Sequence, residues 1–306
     1  MSLKRVLLLV GPTAVGKTGV ALDLAKHLDC EIISADSRQV YKFMTIGTAK
    51  PTEEERAAVL HHFIDIKYPD EYYSAGQFGE EARRCIAGIF VRGKHPVVVG
   101  GSGLYVRALV DGFFGEQIAD SSVKESLRCD LQKHGLPALY LRLSKVDPVT
   151  AERLPQTDPQ RILRALEVYE ITGTPLSSFQ EKQSSPAEFA PHIVGLNLDR
   201  ARLYDRINRR VDSMLAAGLI KEVRDLLKRG YDPQLNALQT VGYQEVIAHF
   251  SDVLTYSDMV ALIKQKSRNY AKRQLTWFRK DSRIHWHETH PHVAQDILDE
   301  FCVRSA

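Results

Sequence analysis

The chain has 306 residues, of which 44% are hydrophobic and 26% charged, and its formal net charge is +3. That balance belongs to an ordinary globular protein long enough for a core and a sizeable insertion, and it excludes disordered and collagen-like chains. So small a surplus also excludes a uniformly basic surface, so any nucleic acid must meet a local patch.

Lys4-Arg5-Val6-Leu7-Leu8-Leu9-Val10 is a short apolar run and predicts a buried strand. Gly11-Pro12-Thr13-Ala14-Val15-Gly16-Lys17-Thr18 follows at once and fits G-x-x-x-x-G-K-[ST] at every fixed position, ahead of a helical pattern over 20–25. Strand, phosphate loop and helix thus come in the order that a phosphate site requires. Gly11 and Gly16 let the backbone close around an anion, and successive N–H groups point inward at the positive end of the helix. Lys17 adds a point charge, and Thr18 offers a hydroxyl to Mg²⁺.

Glu31-Ile32-Ile33-Ser34 predicts a second strand. Asp36 lies just past its carboxyl end, where ligands sit in an open α/β sheet, and is expected to face the phosphate loop's site. A turn cap or a ligand to Mg²⁺-bound water is its other reading. Residues 45–51 read as a loop and 61–66 as a further strand. The pair His61 and His62 lacks a third partner and reads as structural. Ser74-Ala75-Gly76-Gln77 has capping-box spacing and starts a helix.

Pro96-Val97-Val98-Val99 predicts another buried strand, ending in Gly100-Gly101-Ser102-Gly103-Leu104-Tyr105. A P-loop NTPase commonly places a Mg²⁺-holding Asp there. Glycine in its place weakens an ATP-hydrolysing reading, and Ser102 is expected to bring a hydroxyl near the phosphates. The pattern over 121–134, 137–145 and 158–172 is helical, with Arg161 and Arg164 on one face. Residues 183–186 read as a connector, and Ile193 to Leu198 as the last core strand.

Long helices then begin near Leu203 and Thr240. The final one, over 258–283, carries Lys264, Lys266, Arg268, Lys272, Arg273, Arg279, Lys280 and Arg283. Tyr270, Trp277 and Phe278 interleave with them, and so one-sided a face suits a phosphate backbone. The expected fold is α/β: a P-loop NTPase-like core with a parallel sheet, a mostly α-helical insertion and C-terminal helices. The core is expected over 1–119 with 190–306, and the insertion over 120–189.

Cys30, Cys85, Cys129 and Cys302 are far apart, which excludes a metal knuckle or a C-x-x-C pair and reads as reduced thiols of a cytoplasmic protein. No apolar run approaches membrane-spanning length, and the amino end has no secretory leader.

Several stretches together resemble the tRNA dimethylallyltransferases, or tRNA isopentenyltransferases. They are 11–18, Ser34-Ala35-Asp36-Ser37-Arg38-Gln39-Val40-Tyr41, Gly47-Thr48-Ala49-Lys50-Pro51, 100–105, 158–168, Val241-Gly242-Tyr243, and Tyr270-Ala271-Lys272-Arg273-Gln274 with Thr276-Trp277. Ser102 stands where the family usually has Thr, which keeps the hydroxyl. No zinc-finger Cys/His set follows the core, so the chain resembles the bacterial form.

The resemblance implies transfer of a dimethylallyl group from dimethylallyl diphosphate to the exocyclic amine of the adenosine 3′ of the tRNA anticodon, at position 37. Asp36 is then the general base. The loop residues Gly11 to Thr18, with Lys17, Ser102, Arg206 and Mg²⁺ on Thr18, hold the departing diphosphate. The adenine is flipped out of the anticodon stem-loop and read by Asp36, Ser37, Arg38 and Gln39. Lys124, Gln160, Arg161, Ile162, Leu163, Arg164, Gly242, Tyr243, Lys272 and Arg273 are expected on the tRNA, with the protein a monomer. Three other readings stand beside this one: a small-molecule kinase, a free-adenylate isopentenyltransferase and a non-catalytic RNA-binding module.

Overall fold

The computed structural model describes residues 3–112, 118, 120–181 and 186–303. Apolar runs without polar alternation suit strands covered on both faces, and β1 (Arg5–Val10) is buried at all but its first residue. It feeds the phosphate loop and α1 (Lys17–Ala25). The fully buried β2 (Cys30–Ser34) gives way to the turn that carries Asp36. A capping box of Thr52 and Glu55 starts α2 (Glu53–Ala58), and β3 (His61–His62) follows. Next come α3 (Ala75–Val91), β4 (His95–Gly100) and α4 (Gly103–Asp111).

The chain then runs through α5 (Ser121–Val146), α6 (Pro148–Arg153), α7 (Pro159–Thr172) and α8 (Leu176–Glu181). Gly135, at φ 76° and ψ 167°, breaks α5 just before Pro137, between the two predicted segments. The chain returns to the sheet through β5 (Ala190–Asn197), followed by α9 (Arg200–Ala216) and α10 (Leu219–Lys228). After these come α11 (Tyr243–Phe250), α12 (Tyr256–Phe278), β6 (His285–Glu288) and α13 (Val293–Val303).

Among the described residues the strands form one parallel sheet in the order β3-β2-β4-β1-β5-β6. Leu8 of β1 pairs with Val98 on one side and Ile193 on the other. The chain leaves β1 first for β2, beyond β4, and later returns on the opposite side as β5. The carboxyl end of β1 is therefore a switch point, where a parallel sheet opens a crevice, and the phosphate loop starts there. No helix of the described residues is long and apolar enough to cross a membrane.

The chain divides into two compact units. One takes in the chain up to Tyr73, Phe78–Val110 and everything from Ala187, and holds the sheet. The other comprises Ser74–Gln77 and Asp111–Pro186, and its core includes Leu127, Leu143, Ile162 and Leu166.

Three sequence expectations are corrected. The strand over 61–66 stops at His62, because Phe63 and Asp65 take left-handed φ of 64° and 57° that a strand does not tolerate. Ile193 to Leu198 is not the last strand. β6 pairs with β5, but its His-Trp-His-Glu sequence gave no apolar signal. The basic helix ends at Phe278, and α13 still follows it.

Candidate active site

The phosphate loop is shaped by its backbone. Gly16 has φ 111°, a conformation open to glycine and costly for any side chain. Lys17 Nζ donates to Gly11 O and Pro12 O, both at 2.8 Å. Burial pushes the Lys17 ammonium down to about 7, the Arg210 guanidinium pushes the same way, and Asp36 pulls it back up.

Two amides of the loop are bonded within the protein. Thr13 N–H donates to Gln274 Oε1 at 2.8 Å, and Val15 N–H to Pro12 O at 3.4 Å. The amides of Ala14, Gly16, Lys17 and Thr18 have no acceptor among the described residues and remain as donors for an anion.

Asp36 folds its own turn. Oδ1 accepts from Arg38 N at 2.8 Å and from Gln39 N at 3.4 Å, while Oδ2 has no donor among the described residues. The end of β4 presses on this turn. A Cβ at Gly100 would lie 2.1 Å from Ala35 O, so an acid cannot stand there. Ser102 Oγ accepts from Ser37 N at 3.1 Å. That contact braces the Asp36 turn.

Arg38 donates to Asn236 O at 2.6 Å. The Gln39 amide spans Ser34 Oγ at 2.9 Å and the carbonyls of Thr48 and Ala49 at 3.3 and 3.1 Å. The Gln39 side chain therefore ties the turn to the 45–49 loop, which occupies both of its N–H donors.

Lys17, Thr18, Asp36, Arg206 and Arg210 line one cavity of about 610 Å³. Two helix stripes complete it. From α9 come Arg206 with Ile207, Arg210 with Val211, and Met214, four residues apart; from α12 come Ile263, Ser267, Tyr270 and Gln274. Arg206 Nη1 donates to Val15 O at 3.1 Å, which sets its guanidinium over the loop.

Arg210 has no acceptor among the described residues. Burial pulls its guanidinium below the usual value, and Asp36 opposes that. Burial, reinforced by Asp36, pushes the Tyr270 phenol up to about 12. Away from the cations the lining turns apolar at Val211, Met214, Leu219, Val241 and Ile263.

Arg210, Tyr270 and Gln274 were not read from the sequence as site residues. Arg210 lies one helical turn after Arg206, and Tyr270 and Gln274 stand in the 270–274 stretch that carries the resemblance, so spacing and that stretch were the available signals.

Two further expectations are corrected by burial. Tyr243 is fully buried, and its hydroxyl donates to Glu222 Oε1 at 2.7 Å, so it packs inside the protein while Gly242 alone lines the cavity. Ile162 is fully buried in the helical unit's core. On the same unit, Lys124, Gln160 and Arg161 are exposed, Leu163 is half-buried, and Arg164 donates to Ile118 O at 2.6 Å.

The basic helix also spends cations internally. Lys264 meets Asp212 and Lys266 meets the buried Glu245, both at 2.6 Å, and Arg268 donates to Asn208 at 2.7 Å. Lys272, Arg273, Arg279 and Lys280 stay exposed.

No group of three His, Cys, Asp or Glu among the described residues could hold a metal ion. Among the residues lining the cavity, the Thr18 hydroxyl and the Asp36 carboxylate are hard oxygens that suit Mg²⁺.

Lys17 gives a measurable consequence. With its pKa near 7, the free amine is mostly neutral at pH 8, and a diphosphate beside it restores the charged form. Binding of a prenyl diphosphate at pH 8 should therefore take up about one proton at Lys17. Calorimetry in buffers of different ionisation enthalpy should detect this uptake, and Lys17→Met should abolish it.

The family profile described as IPP transferase matches residues 39–281, and one described as isopentenyl transferase matches residues 4–69. A tRNA dimethylallyltransferase of Symbiobacterium thermophilum is 47% identical over 297 residues, covering 97% of this chain and 93% of that relative. One from Oceanobacillus iheyensis is 44% identical over 295 residues, covering 96% and 94%. The crystal structure of a tRNA isopentenylpyrophosphate transferase from Bacillus halodurans superposes with a TM-score of 0.72 at 39% identity, covering 98% of this chain and 96% of that one. A eukaryotic dimethylallyltransferase acting on tRNA gives 0.77 at 28% identity, covering 93% and 74%.

Proposed function

The chain belongs to the IPP transferase family and is a tRNA-prenylating enzyme, and from that premise we propose how its residues divide the work. The donor is dimethylallyl diphosphate, and the acceptor is the exocyclic amine of the adenosine 3′ of the anticodon. One observation carries this reading: the unpartnered oxygen of Asp36 belongs to a side chain that lines the same cavity as the phosphate loop.

The diphosphate lies against the amides of Ala14, Gly16, Lys17 and Thr18, with Lys17, Arg206 and Arg210 around it. The prenyl tail lies along Val211, Met214, Leu219, Val241 and Ile263, where burial of its apolar surface favours binding. The amine lone pair forms the new N–C bond as the allylic C–O bond breaks, and that electron pair leaves on the diphosphate oxygen. Charge growing on this oxygen meets preorganised N–H dipoles and guanidinium groups. The proton lost by the amine passes to Asp36 Oδ2. The Thr18 hydroxyl would hold Mg²⁺, which would supply further neutralisation of the leaving group. The enzyme is proposed to work on tRNA in the cytoplasm, as a monomer.

Diphosphate release should require both dimethylallyl diphosphate and unmodified tRNA, with ATP left intact. ATP turnover on a small hydroxylated compound would replace this reading with a kinase. The exposed part of α12 is proposed to hold the RNA backbone. Lys272→Ala with Arg273→Ala should weaken tRNA binding and flatten its log–log salt slope by about 1 to 2. Titrations at several salt concentrations check this.

A further inference from the structure

Outside the cavity, one surface combines exposed aromatic rings with cations. Phe43 lies 5.9 Å from Tyr68 and 6.5 Å from Tyr231 between ring centroids. Phe43 is 39% and Tyr68 43% exposed. The Lys42 ammonium stands 4.1 Å from the Tyr68 centroid, and the Arg229 guanidinium 4.4 Å from that of Phe43. Of two acids facing Tyr231, Asp70 and Glu71, the second is taken up by Tyr68 N and by Lys67 at 3.6 Å.

Phe43 is also strained. Its φ of 67° is left-handed, a conformation that a bulky L-residue keeps only when its surroundings impose it. The surroundings here do so from both sides. Lys42 N donates to Lys67 O at 2.7 Å, and Ile66 N and Lys67 N donate to Val40 O. On the other side, Glu222 holds the amides of Thr45, Ile46 and Gly47. The segment is pinned at both stems, with its ring turned to solvent. The residues before and after it, 36–39 and 47–49, line the cavity. The rings thus stand on the same stretch of chain as Asp36.

Ring faces and a guanidinium plane beside exposed positive charge match an unpaired nucleotide, which brings a π-surface and a phosphate together. An apolar protein partner would have to take Lys42 and Arg229 out of water with only the nearby Glu71 and Asp225 to offset their charge. We propose that this face is a second RNA contact: an unpaired base of the loop presenting the target adenosine stacks on Phe43, Tyr68 and the Arg229 plane, while Lys42 and Arg229 meet its phosphates. This rests on the tRNA-prenylating reading and adds a contact outside the reaction cavity.

The test uses Phe43→Gly, which removes the ring and relieves the left-handed strain, combined with Tyr68→Leu. Affinity for an anticodon stem-loop should fall by at least ~10-fold, in the range of base–aromatic stacking. The KM for dimethylallyl diphosphate and the salt slope of RNA binding should stay unchanged. Lys42→Ala with Arg229→Ala should instead lower that slope. Abasic sites in the RNA loop outside the target adenosine should weaken wild-type binding and cost the aromatic variant nothing more.

Undiminished stem-loop affinity in the folded aromatic variant would overturn the proposal. So would an abasic penalty that persists in it, or loss of self-association as the only change, which would assign the face to a second copy. Wild-type prenylation of the same RNA is read in parallel. Its absence would remove the primary reading, whereas intact prenylation with unchanged variant affinity would remove this one alone.

Discussion

Asp36→Asn is expected to slow prenyl transfer by roughly 100- to 10,000-fold, the usual worth of a general base, while both substrates still bind. The substitution is chosen for its geometry. The amide oxygen of Asn can accept from Arg38 N and Gln39 N as Oδ1 does now, so the turn persists. An NH₂ group then replaces Oδ2 and cannot take a proton from the amine. Single-turnover rates measured beside tRNA binding separate the two effects. A secondary shift should accompany the loss. Asp36 holds the Lys17 pKa up, so its removal lets Lys17 fall further and weakens diphosphate binding most above pH 7. A near-normal rate in this variant would remove Asp36 from the chemistry.

Glu222→Ala should cost roughly 2–4 kcal/mol of stability, a large share of a typical total. One carboxylate accepts from Thr45 N at 2.8 Å, Ile46 N at 2.7 Å, Gly47 N at 3.0 Å and the Tyr243 hydroxyl at 2.7 Å. Truncation leaves all of these donors without their acceptor at once, which is dearer than losing one bond. Gly47 is pressed against the Tyr243 ring, where a Cβ would lie 2.4 Å away, so the loop has little room to adjust. Because Gly47, Thr48 and Ala49 wall the cavity, the KM for the prenyl donor should rise as well. Tyr243→Phe removes one bond only and should cost about 1 kcal/mol. Chemical denaturation of both variants gives the comparison, and an unmoved midpoint for Glu222→Ala would mean that the loop is held by something else.

The parts of the fold that sequence revealed are those whose signal is local. The run from Arg5 to Val10 and the phosphate loop after it are contiguous, and so are β2, β4 and β5. The helical spacing over 121–134 and then 137–145 left a gap where Gly135 breaks α5. β6 escaped because an edge strand reading His-Trp-His-Glu has no apolar run. The end of β3 escaped because left-handed Phe63 and Asp65 carry no compositional mark.

The site divides in the same way. Asp36 and the loop could be proposed from position, since each follows a strand's carboxyl end. What each group bonds to could not. Gln274 reaches Thr13 across 261 positions and Glu222 reaches Gly47 across 175. Lys264 and Lys266 looked like part of an open basic face until Asp212 and Glu245 were brought against them. A run of charges gives no sign of which members face internal partners. Arg210 was within reach of helical spacing, one turn from Arg206, and Gln274 stands in the 270–274 stretch that carries the resemblance.

Incubating the protein with unmodified tRNA, Mg²⁺ and dimethylallyl diphosphate, then weighing the digested nucleosides, tests the central claim most directly. The account predicts one isopentenyl unit on the adenosine 3′ of the anticodon in the wild type, and none in Asp36→Asn over the same interval. An unmodified adenosine with the wild type, or an equally modified one with the variant, would contradict it.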